Sequence, residues 1–381
     1  MSVADLAPLL SEEGWPYAST PPVEPGDPGR FHALFGRDSL IASLQLLPER
    51  PDVARATLHA LARLQGRRDH PGTLEEPGKI GHEFRAAPPA GFLDSGWPEG
   101  GEFRYYGTAD ATSWFLVLAA AAGDDDLGPA WRAAGEWLDR ALERGGGFVR
   151  HAPGEWGALT QQGWRDAIEP ESQGHGSGIL RPDGTQPPWP LADVDSQAAA
   201  HAALRALATL SGDPRWERLA GELRERLGAL GPEAMAVEPG GAVVPGAGSQ
   251  LGWLLWADAL DGPAREAAAE RLCEPDVLTG FGLRTLSSDS PVFEALHYHR
   301  GSVWPFDSWL GYGGLRAAGR EAAAERVRAG VLAALARLGR APELYAVSRE
   351  GEVLPVPLAN RVQAWTVGAR WALEHHWDGR P

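Results

Sequence analysis

The chain has 381 residues, of which 43% are hydrophobic and 23% are charged, as is typical of a globular protein with a large core. Its net charge of −16 disfavours nucleic acid as a partner, because nucleic-acid binding rewards clustered lysine and arginine. The single cysteine, Cys273, excludes an intrachain disulfide and a Cys/His metal framework. The N-terminus is too polar for a signal peptide, and no stretch has the apolar length of a transmembrane helix. We therefore expect a cytoplasmic protein that does not bind membranes.

One pattern of helices and loops recurs along the chain. Residues 1–30 are rich in proline and glycine and are expected to wrap the surface, apart from a short helix at Val3–Leu10. After them, pairs of helical segments joined by short turns alternate with long loops rich in glycine, proline and tryptophan. The predicted pairs are Ser39–Leu47 with Val53–Gln65, Ala111–Ala121 with Pro129–Glu143, Ala192–Leu210 with Pro214–Leu230, Ser249–Leu260 with Pro263–Leu272, and Ser302–Ala318 with Arg320–Leu338. A last helix, Asn360–Leu373, is expected to pair with the N-terminal one.

This alternation predicts the fold class. Short turns within pairs indicate antiparallel helix hairpins, and the long loops between pairs then emerge on one side. Strand signals are few and short, and no repeat of fixed period indicates a solenoid. We therefore predict an all-α protein, a single (α/α)6 toroid spanning residues 1–381, with about twelve helices in two concentric layers. Long loops kept by a compact fold are usually functional, so we expect the site on their side.

The densest run of rings and charges is His297–Trp309, which reads HYHRGSVWPFDSW. It is expected to be a loop leading into a helix, with Ser302 as the cap and Pro305 in the first turn. Trp304 and Asp307 are three residues apart and so share a face at the helix start. An indole beside a carboxylate suits a polyhydroxylated ligand. The alternative interpretation is a buried tryptophan with a satisfied ion pair.

Further polar and aromatic clusters lie at other loop–helix junctions, on the same predicted side of the ring. Sixteen tryptophans against six tyrosines are in keeping with sugar binding. Lys79 is the only lysine in a chain whose other basic residues are arginines. The clusters are Phe35-Gly36-Arg37-Asp38, Glu75 to Glu83, Tyr105-Tyr106-Gly107 with Asp110, Gln161 to Asp166, and Pro342 to Tyr345 with Gln363-Ala364-Trp365.

The motifs in these clusters follow the order FGRDSL, EEPGKIGHE, YYGTAD, QGWRDA, YHRGSVWPFDSW, PELY and QAW. This order, over residues 31–373, resembles the catalytic domain of bacterial amylo-α-1,6-glucosidases of the glycogen-debranching type. It is also similar to processing α-glucosidases and mannosylglycerate hydrolases. The resemblance implies an inverting glycoside hydrolase that needs no cofactor. It assigns the general acid to Asp166, in the Gly-Trp-x-Asp loop, and the general base to Glu343, in the Pro-Glu-Leu segment.

The resemblance and the clusters together nominate the sugar-binding residues. The resemblance implies that Arg37, Asp38, Trp164, Arg300, Trp304 and Asp307 line the subsite of the terminal sugar, and that Lys79 and Glu83 belong to a Lys-Ile-x-His-Glu element. The clusters add Phe35, Tyr106, Asp110, His299, Gln363 and Trp365. No metal ligands are assigned, because no concentrated Asp/Asn loop demands calcium.

The chemistry of the residues agrees with these roles. Glycoside cleavage needs a protonated carboxylic acid at the leaving oxygen and a second carboxylate. We expect Trp164 and burial to raise the pKa of Asp166, and we expect Glu343 to stay ionised, oriented by Tyr345. Asp307 is the main rival for a catalytic role, followed by Glu169 and Asp195.

Three other functions remain open from the sequence: a phosphorylase, an epimerase that uses His297 and His299, and a sugar-binding protein without activity. Two departures from the debranching pattern favour a small carbohydrate over glycogen as the substrate. The chain lacks a β-rich N-terminal domain, and Ala167-Ile168-Glu169-Pro170 replaces the small polar residues that usually follow the acid.

Overall fold

The structure is a computed structural model, which describes residues 3–22, 31–94, 96–156, 159–168 and 178–380. Its described residues are mostly helical and include two short 3-10 helices, at Val3–Leu9 and Asp125–Leu127. The α-helices are α1 (Gly36–Leu46), α2 (Pro51–Arg63), α3 (Ala90–Asp94), α4 (Ala111–Ala122), α5 (Gly128–Arg144), α6 (Val194–Ser211), α7 (Pro214–Leu230), α8 (Gln250–Trp256), α9 (Gly262–Leu272), α10 (Pro305–Ala317), α11 (Glu321–Leu338) and α12 (Ala364–Glu374).

Six helices form a closed inner ring. They follow the order α1, α4, α6, α8, α10 and α12, and α12 packs back against α1. The outer helices α2, α5, α7, α9 and α11 each pack on the inner helix that precedes them in the chain. The 3-10 helix Val3–Leu9 packs on α12 and supplies the sixth outer position. The predicted (α/α)6 toroid, with the last helix paired to the N-terminal one, is confirmed.

Inner and outer helices differ in sequence pattern because they differ in surroundings. All eleven residues of α1 are buried, since this helix touches the ring on one side and the outer layer on the other. In α2 only one face is buried, and the opposite face is exposed to solvent. The inner helices α8 and α10 approach each other closely at glycines. A side chain at Gly311 would meet Leu283, and one at Gly252 would meet the backbone of Gly311.

Several predicted helix boundaries are wrong for local reasons. Ser302 does not cap α10, because Val303 bridges to Tyr345 and keeps the chain extended as far as the N-cap, Trp304. The helix predicted at Ser249–Leu260 ends at Trp256, and Asp258 takes a left-handed conformation with φ 55°. Ala192 begins a short strand, so that α6 starts at Val194.

Short strands lie within the loops, as the weak strand signals predicted. They pair antiparallel into five small sheets, in the orders β1-β2-β3, β4-β5, β6-β7-β8, β9-β10 and β11-β12. The strands are β1 (Leu34–Phe35), β2 (Glu83–Arg85), β3 (Phe103–Tyr105), β4 (Leu159–Gln161), β5 (Ala167–Ile168), β6 (Ala192–Asp193), β7 (Ala234–Val237), β8 (Val243–Pro245), β9 (Leu278–Thr279), β10 (Gly282–Leu283), β11 (Tyr345–Val347) and β12 (Val353–Pro355).

The N-terminal segment contributes to the core as well as to the surface. Leu6, Leu9 and Ala18 are fully buried, and the backbone N–H of Ala364 donates to the carbonyl oxygen of Ala18. Residues 23–30 of the predicted wrapping segment lie outside the described residues. Of the helices that the structure describes, none combines the length and apolarity needed to cross a membrane.

Candidate active site

The N-terminal ends of the inner helices meet at one end of the ring, and carboxylates gather there. Asp38, Asp195 and Asp307 lie in the first turns of α1, α6 and α10, and Asp110 is the N-cap of α4. The positive end of a helix dipole favours negative charge, so this placement partly offsets the cost of burying the carboxylates. The long loops emerge at the same end and bring two further acids, Asp166 and Glu343, into the group.

Asp166 is held by Arg37 from the first turn of α1. The Arg37 Nη2 atom donates to Asp166 Oδ2 at 2.9 Å, and Arg37 Nη1 donates to Asp110 Oδ1 at 3.3 Å. Arg37 and Asp110 are buried, whereas the Asp166 side chain is 25% exposed. On the other side of Asp166, His299 Nε2 lies 3.8 Å from Oδ1, which is too far for a hydrogen bond. Asp166 therefore combines a fixed orientation with access to a ligand.

The pKa of Asp166 is lowered in the structure, whereas the sequence predicted a raised pKa. Burial acts in that direction, but His299 and the Arg37 guanidinium outweigh it and lower the pKa of Asp166 to about 2. We attribute most of the lowering to Arg37, which makes the shorter contact. Trp164 is the sequence neighbour on which the prediction rested, and its ring packs in the floor of the site. In the free protein at neutral pH, Asp166 is ionised.

Glu343 is buried and fixed by three donors. The hydroxyl of Tyr298 donates to Oε1, and the backbone N–H and Nδ2 of Asn360 donate to Oε2 at 3.0 and 3.2 Å. The network continues from Asn360 Nδ2 to Gln363 Oε1 and from Gln363 Nε2 to Asp38 Oδ1, both at 3.2 Å. Gln363 thus connects the group around Glu343 to the first turn of α1. Tyr345, which was expected to orient Glu343, donates instead to the carbonyl oxygen of Phe281.

The protonation of Glu343 is also the reverse of the expectation. Burial raises the pKa of Glu343 to about 8, although the donors from Tyr298 and Asn360 favour the ionised form. Burial likewise raises the pKa of Asp38 to about 7. Asp166 and Glu343 therefore hold one proton between them at neutral pH, and in the free protein that proton resides on Glu343.

The floor of the site is a stack of aromatic rings. The rings of Trp164 and Trp253 lie parallel with centroids 5.9 Å apart, and the ring of Trp365 stacks on Phe306 at 3.9 Å. Trp304 belongs to the inner ring of helices, as predicted, but it is only 2% exposed and lies parallel to the ring of His299. Its Nε1 donates to the carbonyl oxygen of Tyr298 and to Ser302 Oγ. Little of the Trp304 ring is therefore left for a sugar to contact.

Asp307 lies beneath this floor, contrary to the prediction that it contacts a sugar. It is fully buried and accepts a hydrogen bond of 2.6 Å from Trp253 Nε1. Nearby, Arg165 donates to both oxygens of Asp195, at 3.1 and 3.3 Å, and to Ser249 Oγ at 3.1 Å. Trp304 and Asp307 are thus both buried, as in the alternative interpretation, although Asp307 Oδ2 has no hydrogen-bond partner among the described residues. Asp307 and Asp195 are accordingly poor rivals for a catalytic role, and Glu169 lies outside the described residues.

For three other predicted residues, the contacts that the structure shows do not involve the acid pair. The Tyr106 hydroxyl donates to the carbonyl oxygen of Leu64 at 2.7 Å, which makes Tyr106 a packing residue. The Arg300 side chain contacts the carbonyl oxygen of Val292 and the carboxylate of Glu294, both within its own loop. Lys79 lines a different cavity, described below.

Phe35 and Glu83 stay near the group but are buried. The Phe35 ring meets His82 edge-on, and Glu83 forms an ion pair with Arg85. Burial raises the pKa of Glu83 to about 7. Asp166 influences the pKa values of both His82 and Glu83, so these residues lie within electrostatic range of it.

The sequence did not identify the partners of the acid pair. Tyr298 was part of a noted motif, but nothing marked its hydroxyl as a donor to Glu343. Asn360 was assigned to a helix, whereas it lies before α12 in the loop that contacts Glu343. The sequence places Arg165 in the Gly-Trp-Arg-Asp loop without indicating a role for it. In the structure, Arg165 anchors this loop to Asp195 of α6 and to Ser249, the N-cap of α8.

Comparisons with known proteins agree with the fold. Residues 189–346 match the mannosylglycerate hydrolase MGH1-like glycoside hydrolase domain. A mannosylglycerate hydrolase from Thermus thermophilus, solved in complex with Tris and D-glycerate, has a similar structure with 17% identity over 98% of each chain and a TM-score of 0.69. A complex of the Thermus thermophilus enzyme with glucose gives 18% identity, the same coverage and a TM-score of 0.66. A protein described as a wild-type glycosidase gives 16% identity over 99% of this chain and 95% of that chain, with a TM-score of 0.56. No curated protein matches the chain.

These findings bear on the predictions at different levels. The solved structures confirm the fold. The family match confirms the predicted class of enzyme, a glycoside hydrolase, and the mannosylglycerate hydrolase side of the resemblance. The relation to amylo-α-1,6-glucosidases stays a prediction.

Proposed function

We propose that this protein is an inverting hydrolase of α-glycosides with a small aglycone, of the mannosylglycerate or glucosylglycerate type. The observation that carries the proposal is the pair of carboxyl groups at the open end of the ring. Asp166 is oriented by Arg37 and reachable by solvent, and Glu343 is oriented by Tyr298 and Asn360. The family match over residues 189–346 supports the substrate class.

In the proposed reaction, Asp166 is the general acid and Glu343 is the general base. Asp166 gives its proton to the glycosidic oxygen as the bond from that oxygen to the anomeric carbon breaks. A water molecule attacks the opposite face of the anomeric carbon and passes a proton to Glu343. The pair ends with the one proton with which it began, now on Glu343, and the sugar is released with inverted configuration.

The free protein holds its proton on the other member of the pair, so the proposal requires substrate binding to move it. A sugar that covers the exposed quarter of Asp166 removes water from that carboxylate and raises its pKa. Glu343 keeps its three donors, which favour its ionised form once the proton has left. The pair already holds the one proton that catalysis needs, and only the position of that proton changes.

The test is hydrolysis of a panel that contains mannosylglycerate, glucosylglycerate, maltose, isomaltose and glycogen. We expect turnover of at least one of the glycerate glycosides, and little or none of glycogen. Proton NMR during the first turnovers should show the β-anomer released first. Release of the α-anomer, or turnover of glycogen equal to that of the small glycosides, would contradict the proposal. Activity that requires added phosphate would point to a phosphorylase instead.

A further inference from the structure

A cavity lies between α5 and the loops that precede and follow it. Its volume is about 280 Å³, and neither Asp166 nor Glu343 lines it. The polar side chains around it include Glu76, Lys79, Thr108, Arg144, Arg150, His151 and Gln162. We propose that this cavity binds a small oxyanion, a carboxylate or a phosphate, on the ammonium group of Lys79 and the ring of His151.

Lys79 is the first observation. It is the only lysine of the chain, and its side chain is 7% exposed. Its Nζ donates to the carbonyl oxygen of Leu74 at 3.2 Å and lies 3.7 Å from Glu76 Oε1. An ammonium group has three donors, and the contact with Glu76 is too long for a hydrogen bond. Capacity therefore remains on Nζ for a ligand in the cavity that this residue lines.

His151 is the second and independent observation. Its side chain is 2% exposed, and both ring nitrogens lack a hydrogen-bond partner among the described residues. Asp193 Oδ2, which is also buried without a hydrogen-bond partner among the described residues, lies 3.5 Å from Nδ1. A buried imidazole with two unpaired nitrogens is unusual, because buried polar groups are nearly always paired. An oxyanion in the cavity would accept a hydrogen bond from this ring and satisfy it.

The charge around the cavity also selects an anion. Among the described residues that line it, three carry a cation, Lys79, Arg144 and Arg150, and one carries a carboxylate, Glu76. Arg150 is already engaged by the carbonyl oxygens of Gly145, Pro190 and Val237. Arg144 donates to Glu76 Oε2 at 2.6 Å from the rim, where its side chain is 55% exposed. Glu76 is shared between two cations, so the lining keeps a positive balance in a chain of net charge −16.

The size of the cavity is compatible with such a ligand. A water molecule occupies about 30 Å³ in the liquid, so a space of about 280 Å³ has room for a small anion together with several water molecules. Burial lowers the pKa of Lys79 to about 8, which leaves the group mostly charged at pH 7 and poorly solvated without a counter-ion.

The single lysine allows a direct test. Protein labelled with lysine carrying carbon-13 at Cε has one lysine side-chain signal, which belongs to Lys79. We expect inorganic phosphate or acetate to shift this signal in a saturable way, whereas sodium chloride at equal ionic strength does not. A signal that moves equally with all three salts, or with none, would overturn the proposal.

Variants separate the site from general effects of charge. His151→Phe keeps the reporter lysine and should weaken binding about tenfold or more, as the loss of a buried hydrogen-bond donor to an anion implies. Arg144→Gln at the rim should weaken binding by a smaller factor.

The matched control is Arg140→Gln, one turn earlier on α5, where the side chain contacts the carbonyl oxygen of Pro77 outside the cavity. Equal binding in the His151 and Arg140 variants would refute the site. If His151→Phe does not fold, the ratio between the Arg144 and Arg140 variants decides.

Discussion

Arg37 Nη2 lies 2.9 Å from Asp166 Oδ2, and this contact, together with His299, lowers the pKa of the Asp166 carboxyl. The same guanidinium reaches Asp110, which is fully buried and also accepts a hydrogen bond from Thr108 Oγ1 at 3.0 Å. The buried Arg37 guanidinium thus pairs with two carboxylates. Asp110 is fully buried, and Asp166 is open to solvent.

Replacing Arg37 by Met should destabilise the protein by about 3–5 kcal/mol, because it leaves Asp110 buried without its counter-charge. The double variant Arg37→Met, Asp110→Asn should recover part of this loss. Urea denaturation measures both, and Arg218→Met, at an exposed ion pair with Glu222, is the control with an expected effect below about 0.5 kcal/mol. Equal losses in the single and double variants would show that the pair does not carry the effect.

The fold was predictable from local pattern, whereas the electrostatics of the site were not. Short turns and long loops predict the order of hairpins, and the helix predicted at Arg320–Leu338 matches α11 within one residue. The pKa of Asp166 depends on His299 and on Arg37, and Arg37 is 129 residues away in the chain. The orientation of the Glu343 carboxyl depends on the hydroxyl of Tyr298, which is 45 residues away in the chain. Such contacts arise only when loops of different hairpins meet.

The stability of the protein should fall as the pH rises from about 6.5 to 8. Burial raises the pKa of Glu343 to about 8 and the pKa values of Asp38, Glu83 and Asp307 to about 7. In this range the folded state binds more protons than the unfolded state, so the free energy of unfolding decreases with pH. Below that range the buried histidines act in the opposite sense, because burial lowers the pKa values of His82, His151 and His297 to about 3 and that of His201 to about 4. Asp166 also acts in the opposite sense, but only below about pH 4, where its lowered pKa matters.

Glu343→Gln isolates the largest of these contributions. The neutral amide cannot ionise, so this variant should be more stable than the wild type at pH 8, by more than about 1 kcal/mol, and closer to it at pH 5. Urea denaturation at the two pH values measures the difference. A variant with the same pH dependence as the wild type would show that Glu343 does not hold the proton in the free protein.

The pH profile of kcat/KM tests the shared proton. Activity requires the form of the pair that carries one proton, and this form is lost as the pH rises through the pKa of Glu343, about 8. Tyr298→Phe removes a donor that favours ionised Glu343, so its alkaline limb should move to higher pH. Tyr312→Phe, on α10, is the control and should leave the limb in place. A limb that moves down in the Tyr298 variant would mean that the limiting proton lies elsewhere.

The last prediction assigns acid and base within the pair. Asp166→Asn and Glu343→Gln should each nearly abolish hydrolysis of a natural glycoside without unfolding the protein, but they should differ on an aryl glycoside with an acidic phenol as leaving group. Such a leaving group departs without protonation, so the loss of the general acid costs little, whereas the loss of the base still prevents activation of water.

The aryl glycoside for this test is a dinitrophenyl glycoside. We therefore expect the activity of Asp166→Asn, as a fraction of wild-type activity, to be at least about a hundredfold higher on this glycoside than on the natural substrate, in line with the usual size of general acid catalysis. Glu343→Gln should show no such recovery. The opposite result would make Glu343 the acid, and the proton that burial places on it in the free protein would then be the one delivered to the substrate. The Asp166 carboxylate, kept ionised by Arg37, would in that case activate the water, and the position of the proton in the free site would predict the roles directly.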